Sequence, residues 1–293
     1  MNHQAGFVNI IGNPNVGKST LMNVLIGEKL SIISSKAQTT RHRILGIVNG
    51  KDYQIIYSDT PGIIKPAYKM QESMMQSVES ALQDADIFLL LTDVYDKFTD
   101  KKILDLLNAS TTPVMVVVNK LDLVDQDKVN EKLDAWKALL PKAEVMPISA
   151  LIKFNIDKLT DYVLEHLPES PAYFDKEELT DRSERYFVSE IIREKILLNY
   201  NKEVPYSVEI EVESFKEEEK IVKIRAIIYV ARDSQKGIII GKGGDALKRT
   251  GTQARKDIEE FLGKQVYLEL YVKVSKDWRN DERQLKKFGY FNQ

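Results

Sequence analysis

Gly12, Gly17, Lys18 and Ser19 stand at the spacing G-x-x-x-x-G-K-[ST], inside the stretch GNPNVGKST. An apolar run, residues 7–11, precedes it, and Leu21, Met22, Val24 and Leu25 follow, so the stretch reads as strand, glycine loop and helix. A loop of this kind, here Gly12, Asn13, Pro14, Asn15, Val16 and Gly17, turns backbone N–H groups toward an anion at the helix N-terminus. Its glycines permit the close backbone approach that a side chain would block. Lys18 is placed to reach the terminal phosphates of a nucleotide and Ser19 to hold Mg²⁺, with Thr20 closing the contact stretch. A plain turn between a core strand and a helix would share the glycines; the lysine, the serine and the strand–helix context favour phosphate.

Three further groups fall where strands end, and a fourth lies in a loop. Asp59-Thr60-Pro61-Gly62 follows the run at residues 53–57. Asp59 can serve the Mg²⁺ shell, and Gly62 can offer its N–H to a γ-phosphate. By itself this tetrapeptide is equally a tight turn; its place about forty residues after the phosphate loop gives it chemistry. Asn119-Lys120-Leu121-Asp122 follows the run at residues 114–118. A carboxylate there can accept from both N1–H and the 2-amino group of guanine, a donor pair that adenine lacks. Such a site rejects the wrong base by a factor on the order of 10⁴ in well-built cases. Asp122 as the cap of the next helix is the alternative. Ser149-Ala150 follows residues 145–148, where a backbone N–H can approach the base oxygen. Finally, Gln38-Thr39-Thr40-Arg41 lies in a loop where a threonine hydroxyl, Thr40 in preference to Thr39, can complete the Mg²⁺ shell and leave after hydrolysis.

Elements that place these groups are legible in the apolar runs. Strand-like runs at residues 7–11, 53–57, 87–91, 114–118 and 145–148 alternate with amphipathic segments such as 127–140 and 155–167. This predicts an α/β domain with a mostly parallel sheet buried on both faces. Residues 43–48 and 52–57 flank Asn49-Gly50, which predicts a hairpin and one antiparallel strand. Ligands on such sheets sit at the carboxyl ends of the strands, where the groups above fall.

Composition narrows the rest. The chain has 293 residues, enough for two domains, with a net charge of −2 that excludes a polyanion binder over its whole surface. Residues 232–293 carry 14 Lys+Arg against 9 Asp+Glu, so a nucleic-acid surface is expected there. Without cysteine there is no disulfide or thiolate metal site, and His3, His42 and His166 have no metal-ligand spacing. The first ten residues hold no signal-peptide core, and no run of 18 apolar residues occurs, so the expected compartment is the cytosol.

Pro168 and Pro171 mark a boundary: domains are expected at 1–168 and 183–293, joined by a linker at 169–182. Thr180 or Asp181 should cap a helix with Phe187, Val188, Ile191, Ile192 and Leu198 on its apolar face. Two alternating runs, Val208, Ile210, Val212 and Val222, Ile224, Ala226, Ile228, Val230, predict a two-stranded meander. Then Gly241-Lys242-Gly243-Gly244 forms a G-x-x-G loop, Asp245 is placed to cap the next helix, and residues 265–274 form a last strand. The order α-β-β-α-α-β resembles a type II KH domain over residues 185–276, which implies an α+β fold whose G-x-x-G loop clamps about four nucleotides of single-stranded RNA. Lys248, Arg249, Arg255 and Lys256 supply charge behind the loop. Trp278 beside Arg279 can stack on a base or close the core as a lid. Residues 285–293 form a basic tail with aromatics, a surface for RNA or anionic lipid.

Taken together, the phosphate loop, KAQTTRHRI, DTPG and NKLD resemble the translation-factor-like GTPases over residues 5–167, and most of all the Era-type branch. TDRSERYFVSEIIREKI, residues 180–196, carries the likeness past the nucleotide domain, whereas IIKPAYKMQE, residues 63–72, departs from a segment that is often basic in that family. The resemblance implies GTP hydrolysis with Lys18, Thr40 and Gly62 in catalysis and Ser19, Thr40 and Asp59 at Mg²⁺. It also implies a monomeric ribosome-assembly factor that binds 16S rRNA near its 3′ end, cytoplasmic or peripheral on the inner face of the cell membrane. Ile63 occupies the position after D-x-x-G where a water-orienting Gln often stands, so intrinsic hydrolysis should be slow. Similar GTPases with an apolar residue there use K⁺, and Asn15 would hold it. Two alternatives stay open: a P-loop kinase or ATPase, and a GTP-controlled docking protein whose second domain binds protein or membrane.

Overall fold

A computed structural model describes residues 3–291. The chain divides into two compact units: residues up to Lys65 with Met74–Asp181, and Pro66–Ser73 with Arg182 onward.

In the first unit the elements run β1 (Gln4–Ile11), α1 (Lys18–Ile26), β2 (Ile44–Asn49), β3 (Tyr53–Asp59), α2 (Lys69–Gln83, of which the residues up to Ser73 belong to the second unit), β4 (Ile87–Asp93), α3 (Lys101–Ala109), β5 (Val114–Asn119), α4 (Gln126–Leu139), β6 (Glu144–Pro147) and α5 (Ile156–His166). The six-stranded sheet has the order β2-β3-β1-β4-β5-β6. β2 pairs antiparallel with β3 through the Asn49-Gly50 hairpin, and every other pairing is parallel. Successive strand residues serve opposite faces, as the period of two demands. Ile10, Leu89, Leu91 and Val117 pack with α1 and α5, while Ile11, Leu90, Val116 and Val118 pack with α3 and α4. Both faces are therefore covered, which is why these strands read as unbroken apolar runs. The strand sequence changes direction at β1, so the crevice of this sheet opens at the end of β1, where the phosphate loop begins.

The expected linker is not a free connector, and the helix caps expected at its end are not formed. Residues 169–181 lie on the first unit: Glu169 bridges to Gln4, Thr180 to Gly46, and Gln54 Nε2 donates to Phe174 O at 2.9 Å. Thr180 Oγ1 donates to Leu45 O at 2.7 Å, and Asp181 Oδ1 accepts from Leu45 N at 3.0 Å. Both side chains cover the edge strand β2 instead of capping a helix, which satisfies backbone groups that an open edge would expose.

The second unit holds α6 (Glu184–Asn199), β7 (Val208–Glu217), β8 (Ile221–Val230), α7 (Asp233–Ile240), α8 (Asp245–Leu262), β9 (Gln265–Val274) and α9 (Glu282–Lys287). β7 and β8 form the antiparallel pair, and β9 adds parallel to β8, so the meander becomes a three-stranded sheet. Val188, Ile192 and Ile196 of α6, Ile239 of α7 and Ala254 and Ile258 of α8 cover one face. The cap of α6 is Ser183, and α8 starts from a left-handed Gly244 with no side-chain cap, so Asp245 is the first helical residue and not a cap. Trp278 is fully buried, and its indole Nε1 donates to Ser207 O at 3.0 Å. That settles its two readings in favour of the lid. Arg279 stacks on Tyr68 of the same unit, with Cζ 4.7 Å from the ring centroid. Leu285 and Tyr290 of the tail are buried; its last two residues, Asn292 and Gln293, lie outside the described residues.

Candidate functional site

The phosphate loop closes on itself through Lys18. Its Nζ donates to Gly12 O at 3.0 Å and Asn13 O at 2.9 Å, at the mouth of an open cavity of about 310 Å³ lined by Pro14, Asn15, Gly17, Ser19, Thr40 and Gly62 among others. Burial draws the Lys18 ammonium down to about 8, opposed by the carboxylates of Asp59 and Asp96. A bound phosphate would favour its charged form. Gly17 is left-handed at φ 102°, and a methyl group there would lie 2.4 Å from Asn119 Nδ2, so this position takes glycine on two counts. Val16 packs into the core beneath the loop, and Thr20 is half-buried in α1.

Ser19, Thr40 and Asp59 meet at one point. Ser19 Oγ donates to Asp59 Oδ2 at 2.8 Å and lies 2.9 Å from Thr40 Oγ1, which is 3.3 Å from the same carboxylate oxygen. Thr39 turns away, its hydroxyl donating to Lys36 O at 2.6 Å. Asp59 Oδ1 is buried with no hydrogen-bond partner, as is Ser31 Oγ nearby. Burial pushes the Asp59 carboxyl above its ordinary range, against Lys18 and the hydroxyls of Ser19 and Thr40. Two hydroxyls gathered at Oδ2 of a buried carboxylate whose other oxygen is orphaned make a hard-oxygen donor set that fits Mg²⁺. Ser31 was not picked out from the sequence. Asn23 fixes it, accepting from Ser31 N at 2.8 Å and donating to Ser31 O at 2.7 Å, a loop clamp with no local sequence signal. Beyond Asp59, the Thr60 hydroxyl donates to Ile10 O at 2.8 Å, Pro61 is buried, and Ile63 N donates to Gly12 O at 3.1 Å while its side chain joins the apolar cluster under β4.

Lys120 reaches the lining of this cavity, and Asn119 before it joins two loops. Its Nδ2 donates to Val16 O at 2.9 Å and its Oδ1 accepts from Ala150 N at 3.0 Å. Lys120, left-handed at φ 63°, donates to Asn15 O at 2.6 Å and to Asp93 Oδ2 at 2.7 Å. Asp122 is not a helix cap: Asp125 caps α4, accepting from Lys128 N at 3.0 Å, and Asp122 Oδ1 accepts instead from Ser149 Oγ at 2.5 Å. The carboxylate is thereby fixed in orientation while Oδ2 stays available to a ligand.

In the second unit Gly241, Gly243 and Gly244 all have positive φ, and Lys242 and Gly243 are exposed. Beside them a groove of about 360 Å³ runs between α8 and β9, lined by Gly244, Lys248, Gly251, Arg255, Leu268 and Leu270. Arg255 pairs with Glu259 at 2.7 Å along the helix, and Arg249 is exposed on the same helix, outside the groove lining. An apolar floor with cations on its rim suits unstacked bases and a phosphate backbone.

Comparison with known proteins agrees with this geometry. A family pattern described as a 50S ribosome-binding GTPase matches residues 7–120, and one described as a KH domain matches residues 203–279. The chain is 45% identical over 291 residues to GTPase Era of Staphylococcus haemolyticus, covering 98% of this chain and 97% of that protein. It superposes with a TM-score of 0.94 and 39% identity on crystallised Era in complex with MgGDPNP and nucleotides 1506–1542 of 16S ribosomal RNA, covering 98% and 99% of the two chains. A variant of Aquifex aeolicus Era bound to GDP and AlF4⁻ matches with the same TM-score, identity and coverage.

Proposed function

The chain belongs to the Era family of GTPases, and from that premise we propose that it is a slow GTPase whose second unit binds single-stranded 16S rRNA near its 3′ end during small-subunit assembly. The observation that carries the reading is Asn119, which ties the phosphate loop at Val16 to the base loop at Ala150 and so makes one guanine-nucleotide site of both. In this reading Asp122 selects guanine, and Ala150, whose N–H the Asn119 amide oxygen holds, lines the base loop. Gly12, Asn13, Asn15, Val16, Gly17 and Thr20 surround the phosphates, and Lys18 and the Gly62 N–H stabilise charge that moves onto the γ-phosphate oxygens. Ser19, Thr40 and Asp59 would hold Mg²⁺, which when bound neutralises the β- and γ-oxygens. The alternative nucleotide class, a P-loop kinase or ATPase, lacks a reason for the Asp122–Ser149 pair.

The closing test uses one preparation of the full chain. Phosphate release from GTP and binding of an RNA spanning nucleotides 1506–1542 should both occur, with tighter RNA binding in a GTP analogue than in GDP. Failure of RNA binding in both states would leave a GTPase with a different partner and overturn the RNA half of the reading. The cytoplasm is the compartment that this substrate requires, and a monomer suffices for it. Among the described residues no helix is long and apolar enough to cross a membrane. Peripheral contact with anionic lipid would be electrostatic, through Arg283 and Lys286, because Leu285 and Tyr290 face inward.

Hydrolysis must proceed without a glutamine, since Ile63 cannot orient water. Asn15 supplies an amide oxygen for K⁺ beside the phosphates. The expected outcome is a turnover at least severalfold faster in K⁺ than in Na⁺ at equal ionic strength, the difference vanishing in Asn15→Ala. Equal rates in the two salts would remove the cation.

A further inference from the structure

β4 ends at Asp93, and the turn after it lies against the outside of the phosphate loop. Asp96 Oδ1 accepts from Asn13 Nδ2 at 2.8 Å, a contact across 83 positions of sequence, and Asp96 Oδ2 accepts from Thr92 Oγ1 at 3.0 Å. The Asp96 N–H donates to Asp93 Oδ1 at 2.8 Å, and Asp93 Oδ2 holds Lys120, which reaches Asn15 O. One short turn thus grips the loop on either side of Pro14. Asn13 is also one of the two residues whose carbonyls seat the Lys18 ammonium.

We infer that Asp96 is a positioning residue for the GTPase reaction: by holding the Asn13 side chain it holds the Asn13 peptide, and with it the seat from which Lys18 meets the phosphates. The inference rests on the GTPase reading of this site. A turn aspartate needs only its Thr92 and Asp93 bonds to be stable locally; the long-range bond to Asn13 adds nothing to that turn, and its consequence falls on the loop. A hydrogen bond to an ionised group that is lost from a formed site changes an equilibrium by roughly ten- to a hundredfold. The carboxylate also stands near Lys18 and favours its charged form, so charge and geometry must be separated by experiment.

Asp96→Ala, Asp96→Asn, Asn13→Ala and the double alanine variant of the full chain are compared by dissociation of mantGDP and mantGTP, by kcat and KM for GTP, and by thermal midpoint. Asp96→Ala should release both nucleotides about tenfold faster, with Asn13→Ala alike and the double variant no faster than the larger single. Asp96→Asn should stay within about threefold of the parent, because its amide oxygen still accepts from Asn13 and its NH₂ can donate to the Thr92 hydroxyl. Asp96→Ala dissociating within twofold of the parent would overturn the proposal. So would additive single effects, or an Asn variant as impaired as the Ala variant. An effect confined to the thermal midpoint would mark a structural aspartate and overturn it too. A parent chain that does not retain mantGDP would overturn the GTPase reading along with it, which distinguishes the two failures.

Discussion

Asp122→Asn is expected to lose GTP and gain xanthosine triphosphate. The prediction follows from the hydrogen bond that Ser149 Oγ donates to Asp122 Oδ1 at 2.5 Å. In the variant the amide oxygen can keep the bond from Ser149, which places the NH₂ group at Oδ2 facing the base. Guanine presents two donors to this position, N1–H and the 2-amino group, so the new amine meets a donor. Xanthine has a carbonyl where guanine has the amine, and now finds its partner. A buried polar edge left unpaired is penalised far more than a missing apolar contact, so GTP affinity should fall by a factor on the order of 10³ to 10⁴. Direct titration of mant-labelled GTP and mant-labelled xanthosine triphosphate into parent and variant measures it. Asp122→Ala should bind neither well, which separates reversal of the pattern from simple damage. A variant that still prefers GTP would remove Asp122 from base selection.

Legibility in the sequence depended on whether the cause was local. Parallel strands covered on both faces must be apolar at every position, so residues 87–91 and 114–118 stood out, and Asn49-Gly50 carried its own turn chemistry. The phosphate loop, Asp59 and Asn119 were readable because each motif sits at the end of such a run. What was not readable was set by partners far along the chain. Thr180 and Asp181 have the chemistry of helix caps, but the edge of β2 at Leu45 uses both. Residues 169–181 look like a linker by composition and are bound by Gln4, Gly46 and Gln54. Asp245 lost its capping role to the left-handed Gly244 before it. Trp278 offered an aromatic for base stacking, and the carbonyl of Ser207 decided otherwise. Asp93 and Asp96 belong to no motif; only the placement of the β4 terminus beside the loop gives them work. The apolar residues of a strand announce themselves, whereas a carboxylate in a turn acquires its role from whatever the sheet order brings alongside.

Changing both Lys242 and Gly243 to Asp should abolish RNA binding and leave the nucleotide site intact. The pair sits at the exposed tip of the G-x-x-G loop, beside the α8–β9 groove. Gly243 is left-handed at φ 61° with nothing within 4 Å of an added Cβ, and aspartate is among the residues that tolerate that conformation best, so the loop should survive. Gly241 is a poorer choice: a Cβ there would lie 2.6 Å from that of Ala246. Two carboxylates would then stand where the phosphate backbone approaches, and one cation would be gone. Like charges at close range in a partly desolvated contact cost on the order of several kcal/mol, enough to weaken binding by three orders of magnitude or more. The residues assigned to GTP and Mg²⁺ lie in the other compact unit, within residues 12–63 and 119–150. GTP affinity and basal hydrolysis should therefore stay within a few-fold of the parent. Binding of the 1506–1542 RNA is measured across a salt series, because loss of phosphate contacts also flattens the salt dependence. RNA binding with unchanged affinity and slope would show that the loop is not the clamp. Collapse of GTP binding in a variant with a native circular dichroism spectrum would show that the two sites are not separate.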